Sequence, residues 1–199
     1  MPGTGQLTLT GQLGAVMQES ARAALSQFAD VEVFTIPQKR SRSRYVWDHV
    51  RSITCGRVYT TYLYESRAFR HRLREILRST TFDLVHADSL DLAGYLSACS
   101  ALPVVCVHHD VESALLKRRA SIERRWWRAA YMRFQSRLMH KVERRWCARV
   151  ALNVAVSEQD CVALRQLAPT ARTTVVPNGV DVEEFRPDGV IGSGVAYIG

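Results

Sequence analysis

Short apolar runs alternate along this chain with stretches whose apolar residues recur every three or four positions. The runs are 31–36 (VEVFTI), 82–86 (FDLVH), 103–108 (PVVCVH), 151–156 (ALNVAV) and the β-branched 173–176 (TTVV). Continuous or alternating apolar runs of this length predict strands. The helical pattern is expected over 12–28, where Leu13, Val16, Met17, Ala24, Leu25 and Phe28 share a face. It returns over 45–52 and over 64–78, where Phe69, Leu73, Ile76 and Leu77 face away from the arginines. Asp88 is placed to cap a helix running to about residue 100, and Ser157 one running to about Leu167. Strands and helices alternating at this spacing predict an α/β fold, a Rossmann-like parallel sheet with helices on both faces.

Ligands of such sheets sit at the carboxyl ends of the strands. Polar groups stand at three of these ends: His86, His108-His109-Asp110, and Ser157-Glu158. An imidazole hydrogen-bonds a hydroxyl as donor or acceptor near neutral pH, and Asp110 would orient it or accept a proton itself. Each also has a purely structural alternative: Asp110 as a helix cap, His86 as a core histidine, and Glu158 as a first-turn acid. Glu112 fits the positive end of a helix better than a catalytic role. At the last strand, Pro177 has no N–H to continue the ladder. Asn178-Gly179 follows, the pair best suited to a tight turn through positive φ, then acids at 181, 183 and 184, Phe185 and Pro187. Glycines at 3, 5, 11 and 14 open either an anion-binding loop or a frayed terminus, and LTLT at 7–10 is a poor strand.

Composition narrows the class. Of 199 residues, 47% are hydrophobic and 23% charged, the balance of a globular domain. No run reaches the roughly 18 apolar residues of a membrane span, and the amino terminus does not read as a secretory signal. The five cysteines are scattered, none in a C-x-x-C pair, which argues against structural zinc and for a reducing cytoplasm. Cys106, inside an apolar run, reads as a core residue.

The formal charge of +8 is concentrated. Residues 117–149 carry twelve Lys or Arg and two acids, around a helical apolar stripe of Trp127, Tyr131, Phe134, Leu138, Val142 and Trp146. The stripe is expected to pack on the sheet. The excess charge suits a solvated face, an anionic membrane at about 1 kcal/mol per basic residue near its surface, or nucleic acid. No nucleic-acid-binding motif accompanies it.

Taken in order, FDLVHADS, PVVCVHHDVES, VAVSEQD and VVPNGVDVEEFRP resemble the retaining glycosyltransferases of family four, which have the two-domain GT-B fold. The resemblance implies an acceptor-side domain over 1–174, a closing strand and interdomain hinge over 175–188, and the start of a nucleotide-sugar domain over 189–199, with the first strand and the donor half missing. It implies sugar transfer from a nucleotide sugar, itself a substrate, to a glycan or lipid-linked acceptor in bacterial polysaccharide synthesis, without cofactor or metal. This chain alone is then expected to be inactive, and to be cytoplasmic or peripheral on the inner membrane face. His109 and Asp110 fall on the family's H-D position as catalytic candidates, with His86, Ser157, Glu158, Asn178 and Gly179 as substrate-binding candidates. The alternative is a non-catalytic basic α/β module for anionic membrane or nucleic acid.

Overall fold

A computed structural model of the protein describes residues 5–10, 22–36 and 41–183. In chain order the elements are β1 (Gly5–Thr10), β2 (Asp30–Thr35), α1 (Arg42–Cys55), α2 (Tyr59–Leu63), α3 (Arg67–Ser79), β3 (Val85–Ala87), α4 (Ala93–Leu96), β4 (Val104–His108), α5 (Glu112–Ile122), α6 (Trp126–Cys147), β5 (Leu152–Ala155), α7 (Glu158–Leu167) and β6 (Thr173–Val175). Strands β3-β4-β5-β6 form a parallel sheet in that order, and β1 pairs in parallel with β2 in a second, two-stranded sheet. The fold is the α/β class expected. Among the described residues no helix is long and apolar enough to cross a membrane.

The amino-terminal expectation needs correction. A strand does precede β2: Gly5–Thr10 pairs with Asp30–Thr35 along its whole length. The LTLT alternation is a period-two signal, and the backbone ladder forms over the whole of Gly5–Thr10. The helix expected over 12–28 lies mostly outside the described residues. Residues 22–25 are helical, and Phe28 is 82% exposed.

Other boundaries shift for local reasons. The helix expected over 64–78 begins only at Arg67, because Ser66 takes extended φ/ψ and its hydroxyl caps α3 by accepting the Phe69 N–H. After β3 the cap is Ser89, which accepts the Asp91 N–H, and Asp88 is left out of the capping. Ser157 caps α7 as expected, accepting the Asp160 N–H at 3.1 Å. Inside α7, Cys161 and Leu164 share one face and are fully buried.

The basic segment is two helices, with extended backbone at Glu123 and Arg125 between them. The inward face of α6 is not the aromatic stripe. Gln135, Ser136, Met139, Glu143 and Cys147 are buried, Trp127 is exposed, and Tyr131, Phe134, Val142 and Trp146 are half-buried flanks; of the stripe, Leu138 alone is buried. The polar residues go inward because partners wait there. Ser136 Oγ donates to the Ser113 carbonyl at 2.8 Å, and Glu143 Oε1 accepts the Ser113 N–H at 3.0 Å. Gln135 Oε1 accepts the Tyr59 N–H, and its Nε2 donates to Ser52 Oγ.

A second buried polar knot lies under the sheet. Asn153 of β5 is fully buried; its amide donates to the Cys147 and Arg172 carbonyls, and its oxygen accepts from His108 Nε2 at 2.9 Å. One side chain thus joins β4, the end of α6 and the strand entering β6. His108 is the core histidine of this protein, and burial holds its ring below the usual histidine range.

Both knots generate predictions. Asn153→Ala strands the His108 N–H and the Cys147 carbonyl, and should destabilise by about 3 kcal/mol, lowering Tm by roughly 5–10 °C in a thermal melt. Burial raises Glu143 above its ordinary 4.5, ahead of the opposing bonds from Ser113. The folded chain therefore keeps a proton that the unfolded chain releases, so this group's contribution to stability falls as pH rises above 4.5. Glu143→Gln removes that dependence, and its Tm relative to the native chain should climb as the pH of the melt is raised from 4 toward neutrality, with both limits roughly set by the ordinary carboxylate range.

Candidate active site

The parallel register brings the strand ends to one edge. His108, Ala155 and Val175 are aligned across β4, β5 and β6, and Ala87 pairs with Cys106. The residues that follow each strand therefore leave the sheet on the same side: Asp88, His109-Asp110, Ser157-Glu158 and Asn178-Gly179.

At this edge His109 is half exposed, and its Nε2 meets Asp88 Oδ1 at 3.3 Å. A carboxylate accepts only, so Nε2 carries a proton in this contact, and in the neutral ring Nδ1 keeps its lone pair. Among the described residues Nδ1 has no hydrogen-bond partner, and it is available to accept from a hydroxyl. Both side chains are largely solvated, 53% and 74% exposed, a setting in which an ion pair adds little stability. Asp110 does not orient His109. Its carboxylate lies 3.9 Å from Arg118 of α5, and it caps nothing, because the N-cap position of α5 is Val111.

The remaining candidates divide. His86 is exposed within β3, opposite Val105, one residue short of the strand end, so the core-histidine alternative fails for it. Ser157 is committed to its cap and also donates to Asp160 Oδ2, whereas Glu158 is exposed in the first turn of α7. Asn178 and Gly179 are exposed past β6, where Val176 N–H makes a last bond to the Ala155 carbonyl. Neither takes positive φ; among the described residues Gly56 alone does. The expected Asn-Gly turn is replaced by an irregular run that bends at Asp181, whose Oδ1 accepts the Glu183 N–H. Phe185 and Pro187 lie outside the described residues.

Asp88, read from the sequence as a helix cap, is instead the partner of His109; its one signal was its place one residue past a strand. Sequence reasoning missed a group behind it. Asp91 bonds Thr60, Ser89 and Tyr64, yet burial outweighs these bonds and raises its carboxyl. Burial, then the charges of Asp91, Asp110 and Glu143, raise Glu112. Nothing in the local sequence joins these positions. Among the described residues no group of three His, Cys, Asp or Glu is gathered to hold a metal ion.

A further concavity lies at the carboxyl end of β2. This cleft of about 930 Å³ is lined by Thr35, Arg44, Trp47, Asp48, Arg51 and Glu65 among others. It is tied to the body by α3: Arg72 grips Glu32 of β2 through three hydrogen bonds of 2.6–2.9 Å, and Phe69 meets Phe34 edge-on.

Similarity to curated proteins is confined to short segments. A stretch of 26 residues is 81% identical to the Lon protease of Roseiflexus castenholzii, covering 13% of this chain and 3% of that protein. Another of 51 residues is 53% identical to the Lon protease of Chloroherpeton thalassium, covering 25% of this chain and 6% of that protein. A family model spans far more. The model described as Glycosyltransferase Family 4 matches residues 13–184, the greater part of the chain, and the chain belongs to that family.

Proposed function

We propose that this protein forms the acceptor side of a retaining glycosyltransferase, which moves a sugar from a nucleotide sugar to a glycan or lipid-linked acceptor in bacterial polysaccharide synthesis. Residues 1–174 are the acceptor-side domain in this proposal, and 175–188 the hinge. The observation that carries it is the solvated His109–Asp88 pair at the carboxyl edge of the parallel sheet. Such a pair is dispensable for folding and correctly placed for a ligand.

The chemistry asked of it is modest. In glycosyl transfer the bond from the sugar C1 to the leaving diphosphate breaks, a bond from C1 to an acceptor oxygen forms, and the proton of the acceptor hydroxyl passes to the departing diphosphate. Asp88 holds the His109 ring with Nδ1 outward, and Nδ1 accepts a hydrogen bond from a sugar hydroxyl, which orients it. Asp110, beside it and paired with Arg118, adds a second acceptor. The cleft at β2 suits a glycan as well. It sets Trp47, 60% exposed, among arginines and carboxylates of both signs, which matches a neutral, hydroxyl-rich ring better than a phosphate.

In a preparation that turns over a nucleotide sugar, His109→Ala should lower kcat/KM for the acceptor by about 100-fold. KM for the nucleotide sugar and Tm should stay unchanged. Unaltered turnover removes His109 from the site. Asp88→Asn should produce a smaller loss in the same direction, about 10-fold, because the ring loses its charged anchor and keeps its lone pair. A wild-type rate in this variant shows that the pair has no part in acceptor binding.

A further inference from the structure

The amphipathicity of α1 is inverted. Its fully buried residues are polar, Asp48 and Ser52, while Val46, Val50 and Ile53 are 61%, 41% and 56% exposed along one outer face. The helix is held to the body by polar contacts: Ser52 Oγ takes the Gln135 amide, and His49 Nδ1 and Tyr131 Oη lie 2.6 Å apart. That last contact lays α1 across α6 one turn from Trp127.

The turn between α5 and α6 is also apolar outside. Ile122 and Trp126 are 82% and 80% exposed and Trp127 is 53% exposed. Exposed arginines surround them: Arg118 and Arg119 in the last turns of α5, Arg124 and Arg125 in the connection, and Arg128, whose guanidinium lies over the Trp127 ring at 5.1 Å. Glu123 is the one acid between residues 117 and 142, and it is engaged by the Arg125 N–H.

Large apolar side chains exposed together mark a surface that meets something. We propose that the Ile122–Trp127 turn docks this protein on an anionic lipid surface. Charge decides the occupant. A second copy would bring the same arginines against these. Paired indoles with flanking arginines match the boundary between headgroups and acyl chains, where indoles settle and guanidinium groups reach phosphates. The attachment is a turn lying in the interface, not a span. The inference stands apart from the assignment of His109 and is tested without a sugar substrate.

The test is sedimentation of the intact chain with vesicles at low salt. It should pellet with phosphatidylcholine vesicles containing phosphatidylglycerol, remain in solution with phosphatidylcholine alone, and be released by added salt. Replacing Arg124, Arg125 and Arg128 together by Gln should weaken partitioning roughly 100-fold. Trp126→Ser with Trp127→Ser should weaken it roughly 10-fold. Arg74→Gln with Arg78→Gln on α3 should bind as the native chain, and all variants should keep the native far-ultraviolet spectrum and melt. The proposal is overturned by failure to pellet with anionic vesicles, by native binding of the tryptophan variant, or by equal loss in the α3 control. It is equally overturned by pelleting without vesicles, which means self-association, or by a polynucleotide that displaces the vesicles.

Discussion

The architecture rests on a buried asparagine. Asn153 stands at the centre of the four-stranded sheet with no exposed surface and satisfies two backbone carbonyls and a histidine ring. Those partners come from β4, from the end of α6 and from the residue before β6. An amide side chain is suited to this place because it both donates and accepts, and each group left without it would be stranded in an apolar interior. Because His108 is anchored inward, the residue after it must leave the strand tip outward. The position of His109 follows from the fixation of His108.

The interior is more polar than its size requires. Gln135, Ser136 and Glu143 occupy the inward face of α6, and Asp48 and Ser52 that of α1. Hydrogen bonds between helices tie these elements together, where an apolar seam would serve in a simpler bundle. One consequence is that apolar side chains are displaced outward, on α1 and at the α5–α6 turn. Another is that Cys106 and Cys147, small apolar fillers beside the polar knot, have thiols pushed up to about 12 by burial and are inert as nucleophiles.

The helix α6, with six of the 27 Lys and Arg of the chain, presents two different surfaces. Its inner face grips the sheet and the helices at either side through polar groups. Its amino-terminal end carries exposed indoles and guanidinium groups. At the carboxyl edge of the sheet His109, Asp88 and Asp110 remain wet.

Much of this was legible in the residues. Period-two and period-3.6 patterns located β2, β4, β5 and β6, and α3 and α7, since burial on one face imposes that spacing on any chain. Ser157 announced its cap, and the polar groups after His108 announced a strand tip. What the patterns do not carry is which face of a helix turns inward when polar groups have partners. Ser52 meets Gln135 across 83 residues, and Asp88 meets His109 across 21. Local sequence determined where strands and helices form, because propensity, capping and periodicity act over a few residues. Only the tertiary structure decided that α1 is inverted, that the stripe of α6 is a flank, and that Asp88 rather than Asp110 holds His109. Those outcomes depend on hydrogen bonds closed between residues that the chain keeps far apart until it folds.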